Sequence, residues 1–396
     1  MLHVLTGPAC NNNCLFCMEA DRLGRDAAVR AQTPEHVRSM IASYPDDDEI
    51  LFTSGEPTLN AELPCYIAWA KAKGFRVIGL ITNGRRLAYP AFLASLLRAG
   101  LNRITISMHG HTAALHDGLT RTPGSFAQTH AALQNLQRAK KLHPIRVHTS
   151  TVLNRRNLPH VEQIVAYLAE GPADQIVFNV MMPKGRGALH FRQLMPRYAE
   201  VTQRLLELHG RLDDRIAARL RVVDMPPCIQ QLLPASLRGE LESFDQFEKL
   251  GSTGLTEVAL LNPCSESSVQ SRRSPHDGEG RAIDVQHLDV EWREAHRRRR
   301  NRPWLSSWER RIRSWRSTFE SEEHLRTLIS RPELAAAGSY YMTRRNLKDA
   351  WLRTRGRPCR RCAFAPSCPG VWKAYVEASG WSEFHPVLDP DGARRP

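Results

Sequence analysis

Short apolar segments alternate with helical segments through the first half of the 396-residue chain, and this alternation limits the possible folds more than any other feature. The apolar segments are rich in Val, Ile, Leu and Thr and almost continuously apolar, as expected for strands covered on both faces. They are residues 2–6, 50–54, 76–82, 103–107, 145–152 and 174–180. Strands separated by helices are typical of parallel βαβ units with right-handed crossovers. The sequence therefore predicts a parallel α/β sheet of six strands.

Helical segments fill the gaps between these strands. Thr33, followed by Pro34 and Glu35, has the pattern of a helix N-cap, a first-turn proline and an acidic first turn. Ser125 is expected to cap a helix that runs to Lys141. Further helices are expected at 61–72, 91–99 and 158–169. A partial barrel and an open doubly wound sheet share this order of elements, so periodicity alone leaves both possible.

The alternation ends near residue 190. A helix is expected at 197–209, and residues 265–303 are rich in Ser, Asp, Gly and Arg, which is typical of a loop or linker. A chain of this length accommodates two domains. We expect a first domain over residues 1–212 and a second over 213–396.

The localisation that we expect is cytoplasmic. No segment approaches the ~20 consecutive apolar residues of a membrane helix. Residues 2–6 already resemble a strand and Cys10 follows closely, which leaves no room for a charged and then apolar leader. In that compartment thiols stay reduced, so the nine cysteines are not expected to form a disulfide framework.

Six of the nine cysteines form two triplets, which suggests metal binding. Cys10, Cys14 and Cys17 lie within eight residues, directly after the first predicted strand. An iron–sulfur cluster normally takes four cysteine ligands, so three would leave one iron open for reaction. A zinc site that lacks one ligand is the alternative, although zinc motifs usually pair two C-x2-C segments.

The C-x3-C-x2-C spacing, with Phe16 before the last cysteine, resembles the signature of the radical S-adenosylmethionine (SAM) superfamily. Ser54-Gly55-Glu56-Pro57, at the end of the second predicted strand, is similar to the Gly-Gly-Glu-Pro motif of that family, with Ser54 in place of the first glycine. The resemblance implies a partial (β/α)6 TIM-like barrel over about the first 190 residues. It also implies a [4Fe–4S] cluster at the three cysteines and SAM beside residues 54–57.

Three later strand ends match the family more loosely. The resemblance implies SAM contacts at each of them: Asn83, Ser107 with His109, and Thr151 with Asn154. Carboxyl ends of strands line the ligand crevice of parallel barrels, which agrees with these positions. Ordinary loop polarity is the alternative for each residue. A histidine in the His109-Gly-His111 loop, or His116 beyond it, is a candidate for proton transfer or substrate binding.

The second triplet, Cys359, Cys362 and Cys368, resembles the C-terminal segment of radical SAM enzymes with a SPASM or twitch extension. The resemblance implies a smaller, irregular domain with an auxiliary iron–sulfur cluster. Trp372 stands where the fuller pattern has a further cysteine, which favours one auxiliary cluster over two. Cys228 is the preferred fourth ligand and Cys264 is its rival, while a zinc knob is the alternative for the triplet.

Residues 292–316 contain ten Arg and two Glu and contribute strongly to the formal net charge of +14. Aromatic residues recur there at helical spacing, so an arginine face on an amphipathic helix is one interpretation. Docking of an acidic redox protein, an acidic peptide or a nucleic acid are the others. The acidic electron donors implied by the resemblance are flavodoxin or ferredoxin, and we prefer this use.

The sequence thus predicts an enzyme that reductively cleaves SAM and abstracts hydrogen from a peptide or a small metabolite. RNA or nucleoside modification is an alternative that only the basic segment supports. An iron–sulfur scaffold without catalytic activity is a third possibility.

Overall fold

The computed structural model describes residues 2–7, 9–18, 34–43, 49–239, 352–365 and 368–388. Seven parallel strands form one sheet in the order of the chain, so that each strand pairs with the next. The strands are β1 (Leu2–Leu5), β2 (Glu49–Thr53), β3 (Val77–Thr82), β4 (Arg103–Ser107), β5 (Arg146–Leu153), β6 (Gln175–Val180) and β7 (Leu220–Val223). This is the partial TIM-like α/β fold that the sequence predicted, with one additional strand.

Helices connect the strands. The α-helices of the sheet region are α1 (Pro34–Ser43), α2 (Leu63–Lys73), α3 (Pro90–Ala99), α4 (Ala113–Thr120), α5 (Ser125–Ala139), α6 (Val161–Ala169), α7 (Gly185–Leu189), α8 (Phe191–Leu194), α9 (Tyr198–His209), α10 (Asp214–Ala217) and α11 (Pro227–Gln230). Short 3₁₀ turns lie at Pro57–Leu59, Arg85–Ala88, Leu158–His160 and Ala235–Leu237. No helix in the described part of the chain is long and apolar enough to cross a bilayer.

The expected helix cap at Ser125 was wrong in its detail. Ser125 is the first residue of α5 and Gly124, at φ 78°, is the capping position. The cap is supplied from a distance by Asp117, whose carboxylate accepts hydrogen bonds from the amides of Gly124 and Phe126 at 2.7 Å. A carboxylate beside the first amides of a helix satisfies donors that have no partner within the helix.

The strand β7 lies beyond residue 212, where we expected the barrel to end. This strand was not predicted from the sequence, because it has only four residues and one of them is Arg221. The guanidinium of Arg221 donates to nearby carbonyls, including that of Ser236 at 2.9 Å. Val222 is fully buried, and β7 pairs with β6 from Ile176 to Asn179.

Side chains alternate in burial along β4, β5, β6 and β7, which distinguishes the two faces of this part of the sheet. In β6, Ile176, Phe178 and Val180 are buried, and they belong to the same core cluster as the helices. The residues between them, including Asn179, are only partly buried and form the opposite, inner face. The carboxyl ends of all seven strands lie at one edge, and that edge carries the candidate site.

The C-terminal segment packs against the sheet region through aromatic contacts. It contains β8 (Arg353–Thr354) paired antiparallel with β9 (Val371–Trp372), a 3₁₀ turn at Arg357–Arg361, and α12 (Lys373–Ser379). The rings of Tyr198 and Tyr375 lie 4.4 Å apart, and the Tyr375 hydroxyl accepts a 2.8 Å hydrogen bond from the Tyr198 amide. Arg197 and Glu383 form an ion pair at 2.8 Å.

Candidate active site and auxiliary cysteine site

The loop that carries Cys10, Cys14 and Cys17 follows β1 and is tied down at several points. The amides of Asn13 and Leu15 donate to carbonyls at the end of α4, each at 2.9 Å. The ring of Phe16 packs edge-on against His109, with centroids 4.6 Å apart. The loop is therefore held by backbone bonds on one side and by an aromatic contact on the other.

The three thiols of this loop lie close enough to influence one another. Burial, together with the neighbouring Cys17 and Cys10, raises the pKa of Cys14 to about 12, and Arg186 acts in the opposite direction. Thiolates that repel each other in a partly buried loop require a cationic centre for their stabilisation. The donor set of three soft sulfur ligands fits an iron–sulfur cluster. Among the described residues no group of ligands has the geometry for a single bound metal ion.

Glu56 connects the cysteine loop with β2 and β3. Its backbone bonds to the cysteine loop, and its side chain bonds to the end of β3. Its amide donates to the Ala9 carbonyl at 2.8 Å. Its carboxylate is buried and accepts hydrogen bonds from the Thr82 hydroxyl at 2.5 Å and the Asn83 amide at 2.7 Å. Burial raises the pKa of Glu56, and these hydrogen bonds act in the opposite direction. The side chain thus organises the site from within the protein.

The backbone at Ser54 and Gly55 is left-handed, with φ 80° and 55°. Gly55 adopts this conformation without strain, whereas a residue with a Cβ atom is disfavoured there. Ser54 is buried, and its hydroxyl has no hydrogen-bond partner among the described residues. Pro57 starts the 3₁₀ turn that follows. A strained backbone beside an unsatisfied buried hydroxyl fits a ligand-binding turn such as the one expected for SAM.

Arg85 is a second tether of the cysteine loop that sequence reasoning missed. Its guanidinium donates to the Asn11 carbonyl and, at 3.2 Å, to the Asn12 side chain. The Asn83 side-chain amide donates to the Asn11 side chain at 2.6 Å. An arginine directly after the predicted Thr-Asn-Gly strand end was the only available sequence signal. Asn83, an expected SAM contact, is therefore placed directly beside the cysteine loop.

The other expected SAM contacts lie at the ends of β4 and β5. Ser107 ends β4 and pairs in register with Ser150 on the partly buried inner face. Thr151 donates its hydroxyl to the Met108 carbonyl at 2.5 Å. Asn154 is fully buried, and its side-chain amide donates to the Val152 carbonyl at 2.9 Å. Thr151 and Asn154 thus shape the strand ends, and Ser107 faces the interior of the barrel.

His109 and His116 are buried and neutral. The amide of Val152 donates to His109 Nδ1 at 3.3 Å, and the amide of His109 donates to His116 Nδ1 at 3.1 Å. Because each Nδ1 accepts, each ring carries its proton on Nε2. Burial lowers the pKa of His109 well below its usual range and that of His116 to about 4. These contacts support a structural role for both histidines.

A polar row on the inner face crosses the carboxyl ends of β5, β6 and β7. The Ser150 hydroxyl donates to the Asn179 side chain at 2.8 Å, and the Asn179 amide donates to the Asp224 carboxylate at 2.9 Å. Asp224 has a φ of 62°, which is unusual for a residue other than glycine. Sequence reasoning missed this row because alternation within a strand does not show which residues of neighbouring strands lie side by side; that depends on the strand register.

The second cysteine triplet lies around a pocket that also contains Cys228. This pocket is lined by Cys228, Cys359, Cys362 and Cys368, together with Arg355 and Phe364. Burial, together with the other three thiols, raises the pKa of Cys228 to about 12. The Gly370 amide donates to Cys368 Sγ at 3.3 Å. Four sulfur ligands around one pocket fit a second iron–sulfur cluster.

Four of the sequence predictions concern residues outside the described ranges. They are the helix N-cap at Thr33, the loop or linker at 265–303, the rival ligand Cys264 and the arginine-rich segment 292–316. Trp372, which stands in place of a further cysteine, is buried in β9 beneath Arg353, whose guanidinium carbon lies 4.0 Å from the ring centroid. That position is therefore filled by a packed indole.

Comparison with known families gives a match to the radical SAM superfamily over residues 4–168. The AdoMet-dependent heme synthase of Methanosarcina barkeri is 28% identical over 179 residues, 45% of this chain and 49% of that protein. The probable GTP 3',8-cyclase of Metallosphaera sedula is 30% identical over 196 residues, 48% of this chain and 58% of that protein. The chain thus spans about half the length of these curated relatives.

Solved structures give weaker similarities. Native anSMEcpe with bound AdoMet and the Kp18Cys peptide is 17% identical, with a TM-score of 0.41 over 53% of this chain and 59% of that one. Coproporphyrinogen III oxidase (HemN) from Escherichia coli is 13% identical, with a TM-score of 0.41 over 54% of this chain and 52% of that one.

Proposed function

We propose that this chain, whose residues 4–168 match the radical SAM superfamily, is a radical SAM enzyme that abstracts hydrogen from a small metabolite or a peptide with the help of two iron–sulfur clusters. In this proposal Cys10, Cys14 and Cys17 hold the cluster that binds SAM. Cys228, Cys359, Cys362 and Cys368 hold the auxiliary cluster. The observation that carries the proposal is the attachment of the cysteine loop to the strand ends through Glu56 and Arg85.

A [4Fe–4S] cluster and SAM, when bound, supply one-electron reductive cleavage and a 5'-deoxyadenosyl radical. The residues of the chain hold the cysteine loop in position. The Glu56 amide fixes Ala9 at the start of the loop, and Asn83 and Arg85 fix the Asn11–Asn12 turn. The neutral His109 packs against Phe16 and excludes water from the side of the loop that faces β4.

The left-handed turn at Ser54 and Gly55 is proposed to receive the methionine part of SAM. The unsatisfied Ser54 hydroxyl and the inner-face hydroxyl of Ser107 are its candidate polar contacts, alongside Asn83. The row from Ser150 to Asp224 is proposed to contact the substrate, because it lies on the inner face at the same sheet edge. The named activities of the heme synthase and GTP cyclase relatives support a small-molecule substrate.

Flavodoxin or ferredoxin is proposed as the electron donor. Both are acidic, and the formal net charge of +14, concentrated partly in residues 292–316, favours encounter with acidic partners.

The proposal is tested first by counting clusters. Anaerobically reconstituted protein should contain about eight irons per chain, because each of the two proposed [4Fe–4S] clusters contains four irons. Cys228→Ala should lose the auxiliary cluster and retain the one that SAM perturbs in the electron paramagnetic resonance (EPR) spectrum. Cys65→Ala is the matched control, since Cys65 is exposed on α2 away from either triplet. If Cys228→Ala keeps the full iron content, Cys228 is not the fourth ligand and another group holds that position.

A further inference from the structure

The segment Gly185-Arg186-Gly187 packs directly on the backbone of the N-terminal cysteine loop. The Arg186 amide donates to the Cys17 carbonyl at 2.9 Å. A Cβ atom on Gly185 would lie 2.6 Å from the Cys17 carbonyl oxygen, and one on Gly187 would lie 3.4 Å from that of Phe16. Gly185 also has a φ of 54°. Two glycines thus permit a close approach that places the arginine between them beside the thiols.

The side chain of Arg186 carries a donor for which the described residues supply no acceptor. Its Nε atom is buried and has no hydrogen-bond partner among the described residues. A buried donor without a partner is unfavourable, and each such group in a native protein calls for an explanation. Arg186 is joined to the cysteine loop through its own amide, which donates to the Cys17 carbonyl at 2.9 Å, and its guanidinium carries a fixed positive charge. The unsatisfied donor and the positive charge are therefore both beside the same cysteine loop.

We propose that the guanidinium of Arg186 donates a hydrogen bond to the sulfur atoms of the cluster held by Cys10, Cys14 and Cys17, and raises the reduction potential of that cluster. This inference rests on the proposed function. Reduction adds one electron from the donor and makes the cluster more negative, so a fixed cation that donates to its sulfur atoms stabilises the reduced form. A planar guanidinium does this with a directional Nε–H bond that lysine does not have.

The test is an EPR-monitored redox titration of full-length, anaerobically reconstituted protein without SAM. The signal of the N-terminal cluster is identified as the one that later addition of SAM changes. In Arg186→Gln we expect the ratio of reduced to oxidised cluster at a fixed potential to fall about tenfold, which is 59 mV for a one-electron couple. In Arg186→Lys we expect a fall of about threefold, because the charge remains and the Nε–H bond is lost.

Arg192→Gln is the matched control, because Arg192 is an exposed arginine six residues further along and the same charge is removed. Its potential should equal that of the wild type, and a shift equal to that of Arg186→Gln would overturn the proposal in favour of general surface charge. An unchanged potential in Arg186→Gln combined with weaker SAM binding would also overturn it, since the acceptor would then be the carboxylate of SAM.

Three further outcomes decide the remaining cases, and the last two separate the inference from its premise. If Arg186→Gln does not retain the cluster, Arg186→Lys decides: a lowered potential supports the guanidinium bond and an unchanged one contradicts it. If the wild type itself shows no SAM-sensitive cluster, the proposed function fails and this inference fails with it. A normal wild-type cluster with identical potentials in all three variants rejects the role of Arg186 alone.

Discussion

Replacement of Ser54 tests whether the turn after β2 stores strain for ligand binding. Ser54 is buried in a left-handed conformation with φ 80°, and its hydroxyl has no partner among the described residues. The conformation costs about 1–2 kcal/mol for a residue with a Cβ atom, and an unsatisfied buried hydroxyl costs about 1–3 kcal/mol. Glycine removes both costs but loses about 0.5–1 kcal/mol through backbone entropy.

We therefore expect Ser54→Gly to stabilise the SAM-free protein by about 2 kcal/mol and Ser54→Ala, which keeps the strain, by about 1 kcal/mol. Thermal unfolding followed by circular dichroism at one scan rate should give the highest midpoint for Ser54→Gly, an intermediate one for Ser54→Ala and the lowest for the wild type. Arg121→Gly is the control for strain alone, because Arg121 has a φ of 52° at the exposed C-terminal end of α4. It should stabilise by about 1 kcal/mol.

SAM binding provides the second half of this test. If the Ser54 hydroxyl is reserved for SAM, both replacements should weaken SAM binding by about tenfold, as expected for the loss of one hydrogen bond to a charged ligand. Arg121→Gly should leave SAM affinity unchanged. Destabilisation by both Ser54 variants, or unaltered SAM affinity in both, would refute the reasoning that this turn stores strain for the ligand.

Three further predictions concern the tether, a buried histidine and the basic segment. Arg85→Met should speed the release of iron from the N-terminal cluster to a chelator by about tenfold, because it removes the bonds to Asn11 and Asn12; the exposed Arg98→Met should not. The pKa of His116 falls from 6.5 to about 4 on folding. Between pH 6.5 and pH 4 only the unfolded chain takes up this proton, so the unfolding free energy of the cluster-free chain should fall by about 3 kcal/mol as the pH is lowered. In urea titrations His116→Asn should show a smaller fall over the same pH range. Replacement of the four arginines at 297–300 with Gln should slow flavodoxin-driven SAM cleavage and remove its salt dependence, with the dithionite-driven rate unchanged; equal loss with both reductants would instead indicate a folding or substrate role.

The parallel sheet could be predicted because its strands are nearly all apolar and its helices fall between them. The polar residues that follow each apolar segment could then be predicted to lie at the strand ends, and Asn83 and Ser107 are found there. The strand β7 could not be predicted, because it has four residues and one is Arg221. The guanidinium of Arg221 is hydrogen-bonded to carbonyls outside the strand, such as that of Ser236, and the sequence does not show these contacts.

The roles of individual side chains were harder to predict than their positions. Glu56 belongs to the turn expected to bind SAM, and its carboxylate is surrounded by Thr58, Thr82 and Asn83, which the motif did not indicate. The residues Arg85 and Arg186 were not singled out, because each acts on a loop far away in the sequence. Such long-range contacts depend on three-dimensional packing, which a single sequence shows only where a motif repeats a known spacing.

The central claim is that the loop of Cys10, Cys14 and Cys17 is the site at which SAM is cleaved. The most direct measurement is 5'-deoxyadenosine formation from SAM by the anaerobically reconstituted protein under dithionite, in the wild type and in the triple variant Cys10→Ala, Cys14→Ala, Cys17→Ala. The wild type should form deoxyadenosine, and the triple variant should form none while it retains iron at the second triplet. Continued deoxyadenosine formation by the triple variant would contradict the account.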